Sequence, residues 1–209
     1  TPAPGARQRT PDTRITLHNV VPAAVLAERW AAAHTATVFS ATLTPTDFYR
    51  TLLGLPDHTP HVQVASPFRP EQLQVRVARH ISTRFDARHA SVGPIVDILA
   101  QQMAARPGNY LAFFSSYDYL QRAAQRLAQR HPQVPQWSQS AGMREDERRA
   151  FIARFEPGGQ GVGFAVLGGS FGEGIDLPGD RLVGAFIATL GLPQVNPVNE
   201  QLRQCLQQA

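Results

Sequence analysis

Short apolar runs of strand length alternate along this chain with longer segments whose apolar residues recur at helical spacing. Strands are predicted at residues 15–20, 36–40, 61–65, 73–78, 110–115, 163–167 and 182–189. Helices are predicted at residues 23–33, 45–53, 92–105, 117–130, 144–155 and 197–208. Alternation of this kind is typical of repeated strand–helix–strand units, so the chain is expected to be an α/β protein with a parallel sheet.

Three of the predicted strands run into polar turns, at residues 40–42, 115–117 and 168–176. Ligands of open α/β sheets bind at the carboxyl ends of the strands, so the three turns are expected to share one rim. The third turn is rich in glycine, which lets main-chain N–H groups approach a phosphate. Because Glu173 and Asp176 lie in the same turn, phosphate chemistry is the first functional hypothesis.

The three turns read FSATLTP, FFSSY and GGSFGEGID in chain order. In this order and in these strand-then-turn contexts, they resemble motifs III, IV and V of superfamily 2 helicases, specifically the XPD/DinG-like family of ATP-dependent DNA helicases. The resemblance covers about residues 13–200. It implies a RecA-like, P-loop NTPase-type fold, which is a three-layer α/β domain with a mainly parallel sheet.

The resemblance also implies roles for individual residues. The residues that match the motif coupling ATP hydrolysis to lobe movement are Ser40, Ala41 and Thr42. The residues expected on the DNA side of the site are Ser115, Ser116, Tyr117, Gly169, Ser170 and Phe171. The residues expected on the nucleotide side are Glu173, Gly174 and Asp176. The residues alone leave a second interpretation of motif IV open, in which a serine caps a helix and Tyr117 packs beside it.

All 20 lysine and arginine positions are occupied by arginine, so the chain has no lysine. A Walker A loop places a lysine on the β- and γ-phosphates of ATP, and this chain therefore contains no such loop. The family's acidic box and its closing arginine motif are also missing. We therefore expect the chain to belong to a longer enzyme that binds ATP and Mg²⁺ between two lobes, and to bind no cofactor and hydrolyse no ATP alone.

Within that enzyme, the resemblance implies three segments. Residues 1–12 are expected to be a disordered lead-in, residues 13–59 the end of the first motor lobe with a linker, and residues 60–209 an incomplete second RecA-like lobe. The expected partners are single-stranded DNA and the first RecA-like lobe. Cys205 is the only cysteine, so the 4Fe–4S cluster of many relatives would lie in an absent N-terminal half, and no metal site is predicted here.

Composition adds broad limits. There is no run of about 18 apolar residues, so no membrane span is predicted, and the N-terminus lacks the apolar stretch of a signal peptide, which favours a cytoplasmic location. The net charge of +4 is compatible with nucleic acid. Because the arginines are spread along the chain, charge alone does not predict DNA binding.

Two alternatives remain open at this point. The chain could be a stand-alone nucleic-acid-binding or protein-docking module of the same fold. It could also be a serine hydrolase, because residues 168–172 fit the G-x-S-x-G pattern with Ser170 as nucleophile. That pattern needs a helix directly after it and a later histidine, whereas Pro178 and Gly179 follow and the last histidine is His131.

Overall fold

The computed structural model describes residues 15–172, 174–190 and 196–208. It divides the chain into two compact units. One, the sheet unit, is Leu73–Pro193, and the other, the terminal unit, joins Thr1–Gln72 to Gln194–Ala209. The assignment of residues 13–59 and 60–209 to two motor lobes stays a prediction.

The sheet unit is built on four strands that are all parallel. They are β1 (Asn109–Phe114), β2 (Gln136–Ser138), β3 (Gly161–Val166) and β4 (Gly184–Ala188), in the spatial order β2-β3-β1-β4. At the end of β1, Phe114 lies opposite both Val166 and Ala188. This arrangement confirms the predicted α/β class and three of the four strands expected in this part of the chain, those at residues 110–115, 163–167 and 182–189, while the short strand β2 was not predicted.

Six helices are described in the two units. They are α1 (Ala23–Ala32), α2 (Thr46–Leu53), α3 (Arg88–Ala105), α4 (Tyr117–Arg130), α5 (Glu145–Ala153) and α6 (Pro197–Gln208). All six were predicted, and the bounds of α4 and α6 agree with the prediction at both ends. Helix α3 begins four residues before its predicted start at residue 92, directly after the 3₁₀ turn Phe85–Ala87.

The side chains of β1 separate the core into two layers, because alternate residues of a strand point to opposite faces. Tyr110 and Phe114 pack with the buried faces of α3 and α4, whereas Leu111 and Phe113 pack with Phe151 of α5 on the other side. All six residues of β1 are buried. The sheet therefore forms the middle of three layers, as in the predicted RecA-like architecture.

The terminal unit contains α1, α2 and α6. Trp30 of α1 donates its indole N–H to the carbonyl of Leu53 at the end of α2, at 2.8 Å. Gly54 then ends α2 in the left-handed region, with φ of 61°, and a Cβ at this position would lie 2.5 Å from the carbonyl oxygen of Ala23. Both the turn and the close approach of α1 thus require glycine.

Four predicted strands do not form: those at residues 15–20, 36–40, 61–65 and 73–78 have no assigned strand structure. Their apolar side chains are exposed, for example Leu17 at 96% and Val75 at 73%. These segments do contain the apolar residues that suggested strands, but a strand is stabilised by hydrogen bonds and side-chain pairs with a neighbouring strand. No described strand pairs with them, and so the prediction was wrong for these residues.

Candidate nucleic-acid interface at the carboxyl edge of the sheet

The turns of motifs IV and V begin side by side. Phe114 ends β1 opposite Val166, which ends β3, and the N–H of Leu167 donates to the carbonyl of Phe114 at 2.9 Å. Ser115 follows β1 directly and Gly168 follows Leu167. Parallel pairing therefore brings the two predicted turns to one edge of the sheet.

The chain leaves these two neighbouring strands on opposite faces. After β1 it enters α4, whose residues Leu120 and Leu127 belong to the core layer of Phe114. After β3 it enters the motif V loop, whose residues Phe171 and Ile175 belong to the layer of Phe113 on the other face. Divergence of this kind opens a crevice at the strand ends, which is the usual ligand position in open α/β sheets.

The two serines of motif IV have different surroundings. Ser116 is the N-cap of α4, because its side chain accepts a hydrogen bond from the backbone N–H of Tyr119 at 3.3 Å. The Oγ atom of Ser115 is buried, and it has no hydrogen-bond partner among the described residues. Ser115 is thus the hydroxyl of this turn with unused hydrogen-bonding capacity, while Ser116 already stabilises the helix.

Tyr117 lies at the start of α4 with 36% of its surface exposed. Its hydroxyl oxygen accepts a hydrogen bond from Nε2 of Gln139 at 3.2 Å. The ring is therefore held at one end and open to solvent along part of its surface. This geometry is compatible with stacking of a base on the ring, and also with the capping interpretation of the sequence.

Gln139 was not predicted as a site residue. It follows β2 directly and is buried, with 4% of its surface exposed. Its Oε1 accepts from the backbone N–H of Val166 at 2.9 Å, while its own backbone N–H donates to the carbonyl of Phe164 at 2.8 Å. Little in the local residues indicates this role, because β2 is only three residues long and a glutamine in a polar stretch is ordinarily exposed.

The first half of the motif V loop is a compact double turn. The N–H of Gly169 donates to the carbonyl of Val166 at 3.1 Å, and the N–H of Gly172 donates to the carbonyl of Gly169 at 3.0 Å. Gly168 has φ of 78°, a left-handed conformation that favours glycine. Ser170, between these bonds, is exposed at the rim.

Phe171 points into the core and not toward solvent. Its side chain is 1% exposed and stacks on Phe151 with 4.3 Å between ring centroids. The side chain therefore anchors the loop to α5, and any contact of this residue with nucleic acid would have to come from its main chain. Sequence comparison could not separate the two roles, since an aromatic residue suits both.

Of the residues predicted on the nucleotide side, Gly174 and Asp176 lie in the second half of the loop. Gly174 has φ of 73°, and Asp176 is exposed. Glu173 lies outside the described residues. Later in the chain, the carboxylate of Asp180 accepts from the backbone N–H of Gly158 at 3.0 Å, and Nε of Arg181 donates to the carbonyl of Phe155 at 2.8 Å. The loop is thus tied down at its far end, with Asp176 left open to solvent.

Beneath motif IV, a buried polar pair joins α3 to α4. The hydroxyls of Ser91 and Tyr119 lie 2.5 Å apart, and the guanidinium of Arg88 lies 5.5 Å from the ring centroid of Tyr119. Burial raises the pKa of the Tyr119 hydroxyl above its usual value, and the bond to Ser91 and the charge of Arg88 oppose part of that rise. Tyr119 therefore stays protonated and fixes the first turn of α4.

Motif III lies in the terminal unit, apart from motifs IV and V in the chain. The hydroxyls of Ser40 and Thr42 are 3.3 Å apart, and the N–H of Thr42 donates to Oγ of Ser40 at 3.2 Å. Both residues, and Ala41 between them, are exposed. The residues form a local polar turn, and their coupling role stays a prediction.

The serine-hydrolase alternative does not find its structural context. In residues 174–190, the helical structure is limited to the 3₁₀ turn Gly179–Arg181. The double turn at Gly168–Gly172 leads instead into an extended loop. Ser170 therefore lacks the helix that a nucleophile elbow requires directly after its serine.

Among the described residues, no helix combines the length and apolar character needed to cross a bilayer. Residues 99–209 match the family described as helicase C-terminal domain. The matched region is more than half of the chain, and it contains both turns of the crevice, the four strands and Gln139. Membership implies a helicase-related function and interaction with nucleic acid. The chain thus belongs to the helicase C-terminal domain family, of the XPD/DinG type that its motifs resemble.

Proposed function

We propose that this chain is the C-terminal motor region of an ATP-dependent DNA helicase, and that the crevice between motifs IV and V holds the backbone of single-stranded DNA. In the intact enzyme, ATP hydrolysis would change the spacing of two lobes and move this crevice along the strand. The observation that carries the proposal is the buried hydroxyl of Ser115, which has no hydrogen-bond partner in the described part of the chain and lies at a topological switch point, between the start of α4 and a glycine-rich loop.

The groups at the crevice suit a phosphodiester. The first N–H groups of a helix have no intrahelical acceptor, and the start of α4 faces this edge of the sheet. Ser115 adds a hydroxyl donor, and the partly exposed side chain of Tyr117 offers an aromatic ring for a base. These contacts are largely independent of base identity, as translocation along any sequence requires.

This chain supplies only part of an ATP site. We expect Gly174 and Asp176 to face a nucleotide from one side, and the exposure of Asp176 in the loop after β3 supports this expectation. The chain has no lysine for the β- and γ-phosphates, so the phosphate-binding loop and most of the Mg²⁺ site must come from another lobe. We therefore expect the 209-residue chain alone not to hydrolyse ATP. Its rate of ATP hydrolysis should not exceed the rate of the Asp176→Ala variant, which serves as the background control.

Fluorescence anisotropy with a labelled oligo(dT) of about 20 nucleotides, titrated over salt, tests the proposal. Phosphate contacts predict saturable binding whose log–log salt slope reports their number. Ser115→Ala should weaken binding about 10-fold or more, because a hydrogen bond to a charged group contributes about 1.5–3 kcal/mol. Ser66→Ala is the matched control, since Ser66 is an exposed serine of the terminal unit that caps its own turn.

Two results would refute the proposal. One is the absence of salt-dependent binding at low ionic strength, and the other is equal affinity of Ser115→Ala and the unmodified chain. Binding without ATP hydrolysis by this chain is expected under the proposal. If the complete protein also lacked strand-stimulated ATP hydrolysis, the alternative of a nucleic-acid-binding module would replace the helicase assignment.

A further inference from the structure

We infer that Gln139 is a positioning residue that transmits the state of the strand-contacting Tyr117 to the motif V loop. The inference rests on the proposed function, because it takes Tyr117 as part of the strand-binding crevice. It goes further by assigning a physical connection between the strand side and the nucleotide side of the site.

The connection consists of one buried amide with two bonds in opposite directions. Nε2 donates to the hydroxyl of Tyr117 at 3.2 Å, and Oε1 accepts from the backbone N–H of Val166 at 2.9 Å. The backbone N–H of Gln139 is also used, in a 2.8 Å bond to Phe164. The side chain is therefore held at both ends, and a shift of one bonded partner either breaks its own bond or moves the amide and with it the bond to the other partner.

The amide also lies against the first turn of motif V. A Cβ built at Gly169 would be 3.5 Å from Nε2 and 3.9 Å from Oε1 of Gln139, and 3.1 Å from the carbonyl of Val166. Gly169 itself bonds to that carbonyl at 3.1 Å. A displacement of the Gln139 amide would therefore occur beside the point where the loop turns away from β3. This point lies ahead of Gly174 and Asp176 in the chain.

No other side-chain hydrogen bond among the described residues joins the start of α4 to the end of β3. The remaining direct bond between these two places is the backbone bond from Leu167 to Phe114, which belongs to the rigid sheet and does not change with the ring of Tyr117. Because buried polar groups are costly to leave unpaired, loss of either bond favours a rearrangement that gives the Gln139 amide a new partner.

Tyr117→Phe is the first test, because it removes the hydroxyl and keeps the ring. In the free 209-residue chain, we expect the NMR resonances of the Gln139 side-chain amide and of the backbone amides of Val166 and Gly169 to shift. Tyr49→Phe is the matched control, since Tyr49 lies in α2 of the terminal unit, and it should leave these resonances unchanged. If the Gly169 and Val166 amides do not move in Tyr117→Phe, the connection does not exist.

The second test measures coupling on the strand. Oligo(dT) should shift amides from residue 117 through residue 169 to residue 176 in the unmodified chain, whereas in Tyr117→Phe the shift at residue 176, beyond the strand-contacting turn, should be lost. Tyr117→Phe and Gln139→Met should each weaken binding, and the double variant should bind no more weakly than the weaker single variant. Tyr117→Phe leaves the Gln139 acceptor for Val166 in place, so it separates the loss of the tyrosine bond from misfolding of the loop.

The outcomes distinguish this inference from the proposed function. Additive losses in the double variant would overturn the connection even if the strand binds normally. Failure of the unmodified chain to bind the strand would overturn the proposed function, and with it the transmission of a strand signal. If the strand does not bind but the Gly169 amide shifts in the free Tyr117→Phe chain, the hydrogen bonds of Gln139 support the fold and carry no signal from a strand.

Discussion

The packing of Phe171 predicts different losses of stability for two substitutions at this position. Phe171→Ala removes a ring that is 1% exposed and stacked on Phe151 at 4.3 Å. Loss of a buried Phe costs about 3–5 kcal/mol of unfolding free energy, and the ring pair itself accounts for roughly 0.5–1.5 kcal/mol of this. Phe171→Leu keeps an apolar anchor and should cost only about half as much.

Urea unfolding monitored by tryptophan fluorescence measures this loss. The ring centroids of Trp137 and Phe155 lie 4.8 Å apart, in the same aromatic group as Phe171. In a Trp30→Phe background, Trp137 is the only tryptophan of the chain, so it alone reports the unfolding. If Phe171→Ala lowers the unfolding free energy by less than about 1 kcal/mol, the loop is not anchored as described.

The same position separates a core role from a DNA role. If the ring stacked on a base, its removal in Phe171→Leu would cost about 1–3 kcal/mol of binding, or roughly 5-fold to 150-fold in affinity. The burial of the ring predicts instead that Phe171→Leu binds oligo(dT) within about 3-fold of the unmodified chain. A 10-fold loss in a folded Phe171→Leu chain would contradict this assignment.

Three further predictions concern the sheet unit. Gly163→Ala should destabilise it by about 1–3 kcal/mol in urea unfolding, because the new Cβ would lie 2.7 Å from the ring of Phe155; a neutral result would contradict the packing. Ser116→Ala should cost about 1 kcal/mol through the lost helix cap, while Ser116→Asp should restore most of it. Because burial raises the pKa of Tyr119, its contribution is complete below about pH 10 and lost as pH rises through the raised value. Tyr119→Phe should therefore flatten the alkaline fall in stability, and an unchanged pH profile would refute the role of this hydroxyl.

Helix α4 shows what local sequence patterns can predict. A serine cap, a clear apolar face and a limit at Arg130 are all encoded within about 15 residues, and both predicted bounds agree with the structure. Strands β1 and β3 were also predicted, from their largely apolar runs, although their bounds differ from the prediction by one or two residues. Because parallel strands share an edge, the meeting of residues 115–117 with residues 168–172 followed from the predicted elements alone.

Features that depend on distant partners could not be predicted. The segments at 61–65 and 73–78 have the alternation of strands but no described partner, and nothing in their own residues reveals this. The core position of Phe171 depends on where α5 packs, and the role of Gln139 depends on β2 lying beside β3. In each case the deciding contact joins residues far apart in the chain, which periodicity does not report.

Hydrogen–deuterium exchange of the 209-residue chain, with and without oligo(dT), tests most directly whether the crevice is the strand-binding surface. The account predicts slower exchange at residues 115–120 and 167–172, on the carboxyl edge, with no change at residues 106–109 and 158–161 on the opposite edge. The opposite-edge peptides contain the same kinds of polar backbone groups and act as an internal control. Protection at the opposite edge alone, or no protection at either edge under saturating conditions, would contradict the central claim.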